Sequence, residues 1–451
     1  MLTAGETKRK LVHIGVGGFA LLLRFLDWRG AAALALGAFL FNWQILPRVG
    51  GKQLWRGGEQ AKGYPLGILL YPLSVLGLCL YFRHDLAKAA AVWGLLAVGD
   101  GMATLLGQAL RGPRLPWNPG KGWIGFASFI VFGTLAASFL MVWTLRLPLT
   151  AFLTPRVLAL TVPLTLLCAL VETLPTTLDD NLTVPLTGAV ALTLLAQADF
   201  AGLLAAPGLG QRLLLGLAVN GVVALAAKWA GSIDIPGALS AVFIGTVITG
   251  TLGLRGFALM AAFFVLGSLA TRIGYRVKAA RGIAQEKGGA RGWRNAWANG
   301  GVPALLALMA GAAPSDMQSL FLLAYAAAVA TAAADTCSSE VGKAYGRRTF
   351  LITSLRPVPA GTEGAVSLEG TLGGFLGGAL IAALGAALGL YPWLAAVLVA
   401  LAGLLGSLAE SVLGTVAERK GWLDNDLLNA LNTALGAGFV VLLLRAFPIP
   451  S

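Results

Sequence analysis

Long apolar runs, broken by short polar connections, fill almost the whole chain. A bilayer core takes about 20 apolar residues in helical form, and on that measure the runs predict about fifteen membrane spans. In the first half they fall near 11–26, 31–47, 64–82, 87–110, 122–145, 157–175 and 182–205. In the second half they fall near 212–228, 235–253, 256–271, 296–312, 318–337, 366–389, 392–414 and 427–446. Several runs are short and rich in Gly or Pro, the pattern of broken helices. The expected fold class is all-α, a polytopic membrane protein in two distantly similar halves. Ala205-Ala206-Pro207-Gly208-Leu209-Gly210 interrupts the apolar pattern and marks the boundary between membrane domains 1–205 and 212–451.

Composition supports that class: 57% of residues are hydrophobic, 12% are charged and the mean hydropathy is +0.79. A soluble domain would lack the polar surface to cover itself. The net charge of +13 does not indicate nucleic acid, because the basic residues lie in connections between apolar runs. With the N-terminus inside, 24 of the 33 Lys and Arg residues fall on the cytoplasmic side. The connection 272–295 carries Arg272, Arg276, Lys278, Arg281, Lys287, Arg291 and Arg294. This balance implies an integral protein, of a bacterial inner (plasma) membrane, with a cytoplasmic N-terminus and contacts to anionic lipid. Nothing in the pattern specifies an oligomeric state. Lys8-Arg9-Lys10 precedes a run that continues as a span, so no cleavable signal peptide is expected. Cys79, Cys168 and Cys337 are isolated, and with His13 and His84 as the only histidines a histidine-based zinc site is excluded.

The remaining polar residues form two sets in the same order. The first is Asp100, Gly107 seven residues on, Lys121, Glu172 and Asp179-Asp180-Asn181. The second is Asp335, Gly342 seven residues on, Lys343, Glu410 and Asp424-Asn425-Asp426. First acid and second acid lie 72 residues apart in one set and 75 in the other. Charges within apolar spans are costly and mark function. The topology places both sets at the cytoplasmic ends of their helices.

Carboxylates bind Mg²⁺ through a few contacts while substrate phosphates complete the octahedron. The candidate ligands are Asp100, Glu172, Asp180 and Asn181 in the first half, and Asp335, Glu340, Glu410, Asp424 and Asn425 in the second. Lys121 stands between Gly120 and Gly122, where a backbone can approach phosphate and the lysine adds a point charge. This is not a P-loop, since position 115 is Leu. His13 shares a helix face with Arg9 and Lys10, placing a proton acceptor beside two phosphate-binding cations. In the second half Arg294, Asn295, Asn299, Ser338, Ser339, Lys343 and Thr362 are the corresponding phosphate contacts, and Ser232, Asp234 and Gly237 offer a further polar contact. Each group also has a structural reading: a helix–helix hydrogen bond for Asp100 and Asp335, an interfacial lysine for Lys121, a solvated turn for Asp179 and Asp180.

Residues 1–200 resemble the membrane-bound polyprenol kinase family, which includes phytol and dolichol kinases. The resemblance rests on Arg9-Lys10-x-x-His13, Asp100-Gly101 with Gly107, Gly120-Lys121-x-x-x-Gly125, and Glu172 with Asp180-Asn181. It implies phosphoryl transfer from CTP, with Mg²⁺, to the hydroxyl of a long isoprenoid alcohol. Gly122 stands where family members carry Thr or Ser. Residues 212–447 resemble the phytyl-phosphate kinase-like membrane proteins. There the matches are Gly231-Ser232-x-Asp234-x-x-Gly237-Ala238, Arg294-Asn295-x-x-x-Asn299-Gly300-Gly301, Asp335-Thr336-x-Ser338-Ser339-Glu340-x-Gly342, Gly361-Thr362-Glu363-Gly364 and Asp424-Asn425. This second resemblance implies conversion of an isoprenyl monophosphate to its diphosphate. Together they imply a fusion of two sequential kinases, with His13, Asp100, Lys121, Asp335 and Lys343 in catalysis. Two other readings stand: a cytidylyltransferase making a CDP-lipid, and a secondary transporter built from two repeats.

Overall fold

The computed structural model describes residues 4–49, 55, 64–110, 112–284, 291–418 and 421–449. Lys287 of the basic connection lies outside them. The chain forms two compact units, residues 1–197 and 198–451. The division falls ahead of the Pro-Gly stretch at 205–210, because the Asp199 N–H donates to Ala312 O at 2.7 Å within the second unit.

The first unit contains α1 (Ala4–Gly17) continuing into a 3₁₀ turn, α2 (Trp28–Leu40), α3 (Leu66–Tyr81), α4 (Leu86–Ala109), α5 (Trp123–Thr144), α6 (Pro155–Glu172) and α7 (Asp180–Leu195). The second contains α8 (Phe200–Ala205), α9 (Leu209–Trp229), α10 (Ile235–Arg272), α11 (Tyr275–Ala280), α12 (Trp293–Ala312), α13 (Ser315–Tyr345), α14 (Leu368–Ala387), α15 (Trp393–Leu413) and α16 (Asn425–Ala446). A two-stranded ribbon, β1 (Phe350–Leu351) with β2 (Ala365–Val366), closes the connection between α13 and α14. Among the described residues nine helices are long and apolar enough to cross a membrane, and α3 and α7 are shorter apolar helices. The expected spans 235–253 and 256–271 are the two helical segments of α10, which meet at a kink at Gly253, whose φ of 69° only glycine adopts at little cost.

Small residues bring the helices together. Most of the window Leu86–Ala109 is buried, as is most of Ser315–Tyr345, so α4 and α13 are the central helices of their units. In α13 every residue from Leu323 to Ala334 is buried, eight of the twelve being Ala. Without lipid-to-protein hydrophobic gain, such close contact supplies the packing attraction between membrane helices. The glycine seven residues after the acid has the same use in both units. A Cβ on Gly107 would lie 3.0 Å from Gly125 Cα of α5, and a Cβ on Gly370 of α14 would lie 3.2 Å from Gly342 Cα. In each unit an acid-bearing central helix is followed by a glycine-packed helix, a helix ending near a glutamate, and a helix capped by an aspartate. Asp179 caps α7 by accepting from Asn181 N, and Asp424 caps α16 by accepting from Leu427 N.

Candidate functional site

The first unit gathers its acids at one place. Carboxylate oxygens of Asp100, Glu172 and Asp180 all lie within 4.8 Å of one another, and no other such group of three occurs among the described residues. Asp100 opens the last part of α4 directly after a π turn, Leu95–Gly99, an irregularity common at functional sites. Glu172 ends α6 and Asp180 begins α7, so two helix termini meet the central helix. Asp100 is buried and accepts from Lys10 Nζ at 2.7 and 2.9 Å. Lys10 is thus held on the first acid.

Lys121 reaches the same cluster from a tight hairpin. Leu115 N donates to Lys121 O at 3.0 Å, and Trp123 N donates to Pro113 O at 3.0 Å. Two side chains pin this hairpin to the end of α6: Trp117 Nε1 donates to Thr173 Oγ1 at 3.1 Å and Asn118 Nδ2 to Thr173 O at 3.0 Å. Lys121 Nζ therefore meets the Glu172 carboxylate, donates to Glu172 O at 2.8 Å and stands 3.7 Å from Asp180. Burial works against the Lys121 charge, but Glu172 and Asp180 outweigh it and hold the amine above its ordinary pKa. It is a fixed cation at neutral pH. The flanking glycines have a local cause. Gly120 N and Lys121 N already donate to Asn118, and a Cβ on Gly122 would press on Pro113 O at 3.3 Å. The expected backbone cradle is thus occupied by the hairpin itself, and the lysine side chain is what the loop presents.

His13 lies beside the acids, with Nε2 2.8 Å from Leu96 O and 3.4 Å from Asp100 Oδ2. A carbonyl can only accept, so Nε2 carries the proton and Nδ1 is the basic nitrogen of the neutral ring. The ring packs edge-on against Tyr71, centroids 4.6 Å apart, and Tyr71 accepts from Trp93 Nε1 at 2.9 Å. His13, Arg9 and Asn181 line a cavity that shares Val16, Phe41, Asn42 and Tyr71 with a second, apolar cavity reaching Val75 and Trp93. A polar head region thus opens onto a hydrocarbon-lined space. Asn181 Nδ2 donates to Asp179 Oδ1 at 2.7 Å and to Gly67 O at 3.2 Å, while its buried Oδ1 has no hydrogen-bond partner among the described residues.

The second unit distributes its expected residues differently. Asp335, Ser338, Ser339, Lys343, Thr362, Glu410 and Asn425 line one polar cavity, joined by Glu363 and Ser411. Gly361 and Gly364, with φ of 89° and 73°, bend the chain over it. Glu340 does not belong there. Five residues past Asp335 it points to another face of α13, where it forms a fully buried ion pair with Lys278. Asp424 caps α16 and, with Asp426 at 2.8 Å from the guanidinium, is paired with Arg294. Asn295 and Asn299 line a separate apolar cavity. The five expected ligands of this half therefore do not converge; Asp335, Glu410 and Asn425 share a cavity, and Glu340 and Asp424 are held by cations. Asp234 is the N-cap of α10, accepting from Gly237 N at 2.8 Å, which accounts for that polar contact structurally. Glu363 carries a weak signal in the Gly-Thr-Glu-Gly turn; Tyr71 carries none, since its place depends on how α3 packs against α1.

Comparison with known proteins adds the family. The description "Integral membrane protein DUF92" matches residues 218–437. An uncharacterized membrane protein of Synechocystis sp. is 42% identical over 44% of this chain and 77% of its own length. Protein VTE6, chloroplastic, of Arabidopsis thaliana is 40% identical over 47% of this chain and 65% of its own length. Farnesol kinase, chloroplastic, of the same plant is 31% identical over 41% of this chain and 63% of its own. No solved structure matches. With its apolar helices and these relatives, the chain belongs to the DUF92 family of integral membrane proteins.

Proposed function

We propose that this protein is a membrane isoprenoid kinase. Its first unit phosphorylates a long isoprenoid alcohol of the phytol or geranylgeraniol type, and its second converts the monophosphate to the diphosphate. The observation that carries the reading is the convergence of Asp100, Glu172 and Asp180 with Lys121, beside His13 and Asn181, which line a cavity that shares residues with an apolar one. Likeness to farnesol kinase supports the reaction class.

Phosphoryl transfer requires alignment and charge neutralisation more than covalent chemistry. The three carboxylates suit a hard divalent cation such as Mg²⁺, which when bound would neutralise the phosphates of the donor, for which CTP is proposed. Lys121 supplies fixed positive charge toward the same phosphates. The alcohol would lie with its chain in the cavity beside Tyr71 and its hydroxyl near His13 and Asn181. His13 Nδ1 is the group to accept the hydroxyl proton, and the unsatisfied Asn181 Oδ1 is a natural acceptor for that O–H before transfer. In the second unit Asp335 and Glu410 provide the carboxylates, Asn425 takes the place after the capping aspartate that Asp180 takes in the first, and Lys343 supplies the cation. The nucleotide is met on the cytoplasmic side of the plasma membrane.

The experiment is product analysis with detergent-purified protein, an isoprenoid alcohol, Mg²⁺, and CTP or ATP in turn. Nucleoside diphosphate together with phosphorylated lipid is expected. Pyrophosphate and a CDP-lipid would instead establish the cytidylyltransferase reading, and nucleotide left intact would favour the transporter.

A further inference from the structure

One cavity of the second unit ends at a cation that nothing among the described residues neutralises. It lies among α9, α10 and α12, walled by Ile244, Phe257, Met260 and Phe264, and shares no lining residue with the Asp335 cavity. At its polar end stands Arg291, 8% exposed. The Arg291 backbone is fixed by two bonds to the start of α10: its N–H donates to Ser232 O at 3.0 Å, and its carbonyl accepts from Asp234 N at 3.2 Å. Its guanidinium sits over Phe263 and Phe264, 5.3 and 5.7 Å from the ring centroids. Gly267 leaves it room, since a Cβ there would lie 2.2 Å from a terminal nitrogen.

Among the described residues, no carboxylate pairs with this guanidinium and no acceptor takes its protons. Glu340 is the carboxylate whose charge acts on it, and Glu340 is already bonded to Lys278. Desolvation pushes Arg291 down to about 10, the direction of an unpaired buried cation. Buried charges are ordinarily paired because desolvation is costly, and a guanidinium presents five donors in a fork that matches phosphate oxygens. Asn295 and Asn299 lie at the same end and add polar groups for a multi-oxygen head. The rest of the cavity is hydrocarbon.

We propose that this cavity binds a lipid with a phosphate head, the phosphate on Arg291 and the apolar tail between α9 and α10. The head would come from an isoprenyl monophosphate or from a bilayer phospholipid. The proposal concerns binding alone and is tested without nucleotide, so it stands or falls separately from the kinase reading.

The test is equilibrium binding to the detergent-purified full chain, with bound lipid quantified by mass spectrometry. The probes are geranylgeranyl monophosphate, geranylgeraniol, phosphatidic acid, palmitate and inorganic phosphate. Wild type should bind a phosphate-headed lipid at least about tenfold more tightly than the alcohol, as a charge-assisted bidentate contact implies. The tighter of geranylgeranyl monophosphate and phosphatidic acid identifies the source of the head. Arg291→Gln should abolish the preference, and Arg291→Lys should restore part of it. Equal binding of alcohol and monophosphate by wild type would overturn the proposal without recourse to any variant. So would palmitate or inorganic phosphate matching the phosphate-headed lipids, or a folded Arg291→Gln protein that keeps the preference.

Discussion

Lys278 and Glu340 show how a buried charge pair constrains what a residue can do. Their side chains are 1% and 3% exposed, and Lys278 also donates to Thr271 O at 2.8 Å. Removing one partner strands the other, so Lys278→Met should cost about 3–5 kcal/mol, while Lys278→Met with Glu340→Leu should recover most of it. Thermal unfolding in detergent measures both, and a single variant as stable as wild type would contradict the pairing. Lys121 is different, because a third of it is exposed and its partners are the candidate metal ligands. Lys121→Met should lower the first phosphorylation about 10²–10³-fold, the cost of losing one oriented donor to developing charge. Its raised pKa means that its charge, and any stability it contributes, is fully present below the ordinary lysine value and is lost only as pH rises through the higher folded value. The rate of the first step should therefore not fall between about pH 7 and 9 on account of this group. The acids of the first cluster are legible in sequence because a carboxylate within an apolar run is costly to bury and rarely kept without a use. Arg291 is not, since in sequence it is one of seven cations in a basic connection and only its burial sets it apart.

Helix pairs account for the glycines that follow the first acid of each set by seven residues. Gly107 meets Gly125 across α4 and α5, and Gly342 meets Gly370 across α13 and α14. Either Gly107→Val or Gly342→Val should separate its helix pair and lower stability by about 1–3 kcal/mol, as overpacking does. A melting temperature unchanged by both would contradict the close crossing. The spans themselves are legible, because hydropathy and length decide where helices form in lipid. The break between the expected spans 235–253 and 256–271 is a kink at a single non-helical residue, Gly253, rather than a longer loop. Gly253→Ala puts a side chain in a backbone region open essentially to glycine alone and should cost about 1–3 kcal/mol. The hairpin at 113–123 is also hidden, because Asn118, Trp117 and Thr173 come together through tertiary contacts with no periodic signature.

At the scale of the molecule, two units repeat one order of elements and differ in what they bring together. The first unit holds three carboxylates around a lysine; the second holds two acids of its set, Asp335 and Glu410, in a cavity rich in hydroxyls. The 72- and 75-residue spacings make the shared order readable in sequence. The divergence is not readable there, because it depends on the face on which Glu340 leaves α13 and on the pairing of Asp424 with Arg294. In the proposed kinase the units act in series on one lipid, so loss of either should stop the sequence at a different product. Wild type, Asp100→Asn and Asp335→Asn should be incubated side by side with geranylgeraniol, Mg²⁺ and CTP, and the lipids resolved by mass. The account predicts diphosphate from wild type, unreacted alcohol from Asp100→Asn, and accumulated monophosphate from Asp335→Asn. No nucleotide-dependent lipid product from wild type, or the same products from all three proteins, would contradict it.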